Sequence, residues 1–67
     1  MITIKLNGKD ESVKENLSLF KLLEDKKIVP ETVVVVLNMN VVNQTKLDKA
    51  FLSNGDSVEV LKFVAGG

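Results

Sequence analysis

What this chain lacks limits its chemistry before any motif is considered. Its 67 residues include no Cys, His, Arg, Trp or Tyr. A disulfide, a thiol nucleophile, an imidazole base and a zinc site built on Cys or His are therefore excluded. Nine lysines, nine carboxylates and the chain ends remain. Asp10-Glu11 and Glu24-Asp25 are adjacent carboxylates. Neighbouring side chains diverge on strands and helices, so both pairs read as solvated surface. The C-terminal sequence Phe63-Val64-Ala65-Gly66-Gly67 is more informative. Glycine has no Cβ and can enter a channel where other residues would clash. Five extended residues reach roughly 17 Å beyond a fold. The terminal carboxyl of Gly67 is ionised at neutral pH and is an oxygen nucleophile. Attack on the α-phosphorus of ATP would turn it into an acyl-adenylate. No Gly-rich phosphate loop occurs in the chain, so ATP is expected on a partner, with no cofactor or metal bound here. Val64, Ala65 and Gly66 read as the channel-fitting tail that delivers Gly67.

The remaining sequence must position that end. Ile2, Ile4 and Leu6 alternate with Thr3 and Lys5, which predicts a half-buried strand. Asn7-Gly8 predicts a type I′ hairpin turn, since both tolerate positive φ. The return strand, Lys9 to Val13, is highly charged, as suits an open sheet edge. Ser18 predicts a helix N-cap, with Leu17 and Leu22 as a hydrophobic staple. Leu19, Leu22 and Leu23 give one apolar stripe, with Phe20 at its margin. Lys26 and Lys27 complement the helix dipole, and Pro30 requires the helix to end by about Lys27.

Val33-Val34-Val35-Val36-Leu37 is too short for a substantial helix. It predicts a strand covered on both faces, or one whose outer face meets a partner. Asn38-Met39-Asn40 predicts a turn and Val41-Val42 a short return strand. Residues 43–52 predict a helical turn that points Leu47, Phe51 and Leu52 toward apolar surroundings. Ser53-Asn54-Gly55-Asp56 predicts a second tight turn, in which Asp56 serves turn geometry. Ser57 to Val64 predicts the last strand. If Val58 and Val60 face the helix, alternation turns Leu61 and Phe63 outward. With Val34 and Val36 they would form an exposed apolar patch that marks a partner site; the alternative is that they close the core at the end of the sheet.

One helix packed across a mixed sheet of four or five strands buries every stripe described above. The first and last strands can then lie parallel at the centre. That is an α+β fold, the β-grasp, expected over residues 1–67 as a single domain with 64–67 as a flexible functional tail. Lysines and carboxylates cancel to zero net charge, against nucleic-acid binding. No apolar run approaches the ~20 residues that span a bilayer, so no membrane partner is expected and the location reads as cytoplasmic. An enclosed active site would consume most of so small a core, so the chain reads as a carrier and not an enzyme.

The pattern as a whole resembles the ThiS family, sulfur carriers of thiamine thiazole biosynthesis in the ubiquitin-like β-grasp superfamily. The resemblance rests on Ile2-Thr3-Ile4-Lys5-Leu6-Asn7-Gly8, Ser18-Leu19-Phe20-Lys21-Leu22-Leu23, Val33 to Asn38, Asn54-Gly55-Asp56 and Val64-Ala65-Gly66-Gly67. Only the last of these is a functional motif. Asn43 and Leu47 stand where the family often has a proline and an aromatic, and Asn54 where it often has Asp. The resemblance implies three partners. A ubiquitin-activating-type adenylating enzyme uses ATP and magnesium to activate Gly67. A persulfide enzyme donates sulfur, giving a C-terminal thiocarboxylate. Thiazole synthase receives that sulfur. Other readings of the same tail are a carrier for another pathway, such as the molybdopterin synthase small subunit or a cysteine-type carrier, and a ubiquitin-like protein modifier.

Overall fold

A chain this short buries little surface, so each element must give one apolar face to a shared core. The computed structural model describes residues 1–63. Its strands are β1 (Ile2–Leu6), β2 (Lys9–Val13), β3 (Val33–Leu37), β4 (Asn40–Val42) and β5 (Ser57–Lys62). One α-helix, α1 (Leu19–Asp25), follows the first hairpin, and 3₁₀ helices occupy Pro30–Thr32 and Gln44–Lys49. The five strands form one sheet in the order β2-β1-β5-β3-β4. β1 and β5 are parallel, with Lys5 opposite Ser57 and Leu6 opposite Val58. All other neighbours are antiparallel. The expected β-grasp is thus present, with the first and last strands adjacent at its centre.

The turns hold the sheet in register. Asn7 and Gly8 take φ of +50° and +83°, as a type I′ turn requires. Asn7 Oδ1 then accepts from the Val60 N–H at 2.8 Å, extending the contact between the hairpin and β5. At the second turn Asn54 Oδ1 accepts from the Thr3 N–H at 2.9 Å. Asp56 accepts from the Ser53 N–H at 2.8 Å and from Asn38 Nδ2 at 3.0 Å. Asp56 therefore serves the turns.

Helix α1 begins at Ser18, whose Oγ accepts from the Lys21 N–H at 3.0 Å. Replacing Ser18 with Ala is expected to lower stability by about 1 kcal/mol, read from urea unfolding, because that amide loses its partner. Leu19, Leu22 and Leu23 pack into a core with Ile4, Val13, Val33, Val35, Leu47, Leu52 and Val58. The helix stops at Asp25, within the expected limit. Lys27, at φ +61°, turns the chain before Pro30 is reached. Pro30 instead opens a 3₁₀ helix. Lys26 reaches across to Glu11 on β2 and pairs with it.

Phe51 departs from expectation. It is 57% exposed, whereas Leu47 and Leu52 are buried. Only Gln44–Lys49 is helical, and Phe51 forms an extended bridge with Ser18. The Leu19 N–H donates to the Ala50 carbonyl at 2.9 Å, and the Leu52 N–H to the Leu17 carbonyl at 2.8 Å. Alternation in this extended segment turns Phe51 outward as Leu52 turns in. The two family departures in this region keep structural roles. Asn43 Oδ1 caps the 3₁₀ helix by accepting from the Thr45 N–H at 2.9 Å. Leu47 is 1% exposed in the core.

Candidate functional site

The two faces of the sheet are unlike. Cβ atoms alternate along a strand, so Val33, Val35 and Val58 enter the core. Val34, Val36 and Leu61 take the opposite face. The valine run is therefore buried on one face only, and not covered on both. Register decides which side chains meet there. Val34 lies opposite Leu61, and Val36 lies between Glu59 on β5 and Val41 on β4. Directly opposed residues are close enough for side-chain contact, so Val34, Val36, Val41 and Leu61 form one apolar surface. Val34 and Val36 are half-buried, while Leu61 is 53% exposed. Phe63 follows β5, with its N–H 3.3 Å from the Thr32 carbonyl. It is 47% exposed and lines a groove of about 330 Å³ shared by Val34 and Val41 of the outer face and by Val33, Val35 and Leu47 of the core.

Val41 is the member of this surface that the sequence reading misses, and it is 71% exposed. Its position depends on β4 register. Asn38 and Met39 both take positive φ, +50° and +71°. They form a two-residue connection that puts Leu37 opposite Asn40 and Val36 opposite Val41. Reading Asn38-Met39 as the two central turn residues would have given that pairing by counting.

Val64, Ala65, Gly66 and Gly67, the residues expected to carry the chemistry, lie outside the described residues. The last strand, expected to run to Val64, ends at Lys62, and Phe63 lies beyond it. The tail's point of departure is defined. β5 supplies Leu61 to the apolar surface, and Phe63 leads directly into Val64. A partner covering this surface would hold the chain at the base of the tail. Among the described residues no polar or charged residue is buried. Those residues also contain no group of three or more potential His, Cys, Asp or Glu metal ligands. No helix among them is long and apolar enough to cross a membrane.

A single helix on a mixed sheet, with parallel terminal strands at its centre, defines a ubiquitin-like β-grasp protein. Comparison with known proteins narrows the class. The model of the ThiS family matches residues 3–67, and the chain belongs to that family. It is similar to the crystal structure of the thiamine biosynthesis protein ThiS from Geobacter metallireducens. That match has a TM-score of 0.86 and 35% identity, covering 98% of this chain and 100% of the other. An NMR solution structure of a thiamine biosynthesis protein from the same organism matches with a TM-score of 0.79 and 35% identity. It covers 98% of this chain and 88% of the other. No curated protein sequence matches the chain.

Proposed function

We propose that this chain carries sulfur for assembly of the thiamine thiazole, as a co-substrate of partner enzymes and not as a catalyst. One observation carries the reading. An uncovered apolar face lies on the strand that leads directly into Val64-Ala65-Gly66-Gly67. Covering that face would seat an adenylating enzyme of the ubiquitin-activating type at the base of the tail. Two glycines let the last residues enter a narrow active-site channel.

The chemistry is that of a C-terminal carboxylate in a chain with no Cys or His. A Gly67 carboxylate oxygen attacks the α-phosphorus of ATP. An O–P bond forms, the α–β anhydride breaks, and pyrophosphate leaves with magnesium. The outer sulfur of a cysteine persulfide on a donor enzyme then attacks the acyl carbon, and AMP leaves. A thiolate attacks the resulting acyl disulfide at the donor's sulfur. It forms a new disulfide with that sulfur and leaves a thiocarboxylate on Gly67. This chain has no Cys, so persulfide and thiolate both belong to partners. Thiazole synthase accepts the sulfur. The ThiS family match and the likeness to thiamine biosynthesis proteins favour this pathway over other uses of the tail. The test is ATP–pyrophosphate exchange by the adenylating enzyme. Exchange should require this chain at full length, and exchange at the same rate without the chain would overturn the proposal.

A further inference from the structure

The uncovered face carries a charge among its apolar side chains. Glu59 lies opposite Val36, and alternation places it on the same face as Ser57 and Leu61. It lines a recess of about 270 Å³ with Val36, Met39 and Ser57. The ion pairs among the described residues are Lys5–Asp10, Lys21–Glu24, Lys21–Asp25 and Lys26–Glu11. Glu59 belongs to none of them. Lys5 is the cation brought toward it by the sheet register, opposite Ser57, and its ammonium is bonded to Asp10 at 3.0 Å.

Glu59 is exposed, so its carboxylate is open to solvent while the face is uncovered. A partner closing over Val34, Val36 and Leu61 removes that solvent. A carboxylate then left without a counter-charge at a covered apolar surface strongly opposes binding. The face accordingly suits a partner that brings its own cation to this point and rejects one that presents an acid. We propose that Glu59 is the charge determinant of the docking face, and that the adenylating enzyme places a Lys or Arg side chain in the recess beside Val36 and Met39. This inference rests on the docking reading given above. It adds which partners the face selects and by what contact. Complementary charge at an interface raises the association rate and excludes wrong partners.

The test measures binding of the full-length chain to the adenylating enzyme of the same organism, by calorimetry at low and high salt. Glu59→Lys is expected to weaken binding by at least about 10-fold, because it sets two cations against each other. Glu59→Gln is expected to weaken it less and to flatten its salt dependence, since the screened charge pair is gone. Circular dichroism reports whether Glu59→Lys stays folded, and the near-isosteric Gln variant carries the test if it does not. Leu61→Asp serves as the control for the face itself. Weakening by Leu61→Asp with wild-type affinity and salt dependence in both Glu59 variants overturns the charge determinant and leaves the docking reading standing. Wild-type affinity in all three variants overturns both.

Discussion

Deleting Gly67, or adding one residue after it, is expected to abolish adenylate formation while leaving the domain folded. An added residue moves the reacting carboxyl by about 3.5 Å. Bond formation requires near-contact alignment with the α-phosphorus, and a displacement of that size removes it. The fold should not respond, because among the described residues the buried core runs from Ile4 to Val58. ATP–pyrophosphate exchange measures the chemistry, and thermal unfolding measures the fold. Exchange at the wild-type rate in the truncated chain would remove the carboxyl from the mechanism. Loss of exchange with loss of the cooperative thermal transition would mean that the tail is structural.

The docking face should give the second-largest effect. Phe63→Asp and Leu61→Asp each place a charge on the apolar surface at the base of the tail. A hot-spot residue at the centre of an interface costs about 2 kcal/mol when it is disrupted, so each variant is expected to weaken the complex with the adenylating enzyme by about 30-fold. Both positions are about half exposed, Leu61 at 53% and Phe63 at 47%, so unfolding temperatures should stay close to that of the unmodified chain. If Phe63→Asp unfolds instead, its ring closes the end of the core and Phe63 drops out of the docking face.

Much of this molecule is legible in its sequence because its local signals agree with one another. Ile2, Ile4 and Leu6 fix the buried face of β1, and Asn7-Gly8 fixes where the chain reverses. Ser18 and the leucine stripe define α1 with no tertiary information. The less legible features depend on contacts between distant residues. Phe51 looks like a core residue by composition. It turns outward because its backbone pairs with Ser18, a partnership across 33 residues (51 − 18) that no local pattern announces. Val41 joins the apolar face only through the register set by Asn38 and Met39. Glu59 gains significance from Val36 beside it on another strand. The side chains of Asn7 and Asn54 serve distant amides of β5 and β1, while their sequence context marks them only as turn residues. In the candidate site, the tail is readable as a motif because the proposed chemistry needs only the chain end. The surface that would present it requires three strands in register.

Intact mass spectrometry tests the central claim most directly. The full-length chain is incubated with the adenylating enzyme, ATP, magnesium and a persulfide donor, and its mass is measured before any reduction or alkylation. The sulfur-carrier reading predicts that one oxygen is exchanged for sulfur. Fragmentation should place the change on Gly67, and the chain lacking Gly67 should show none. Exchange located elsewhere, or persisting in the truncated chain, would contradict it. So would conversion only to an amide conjugate with a lysine of another protein, with no thiocarboxylate formed.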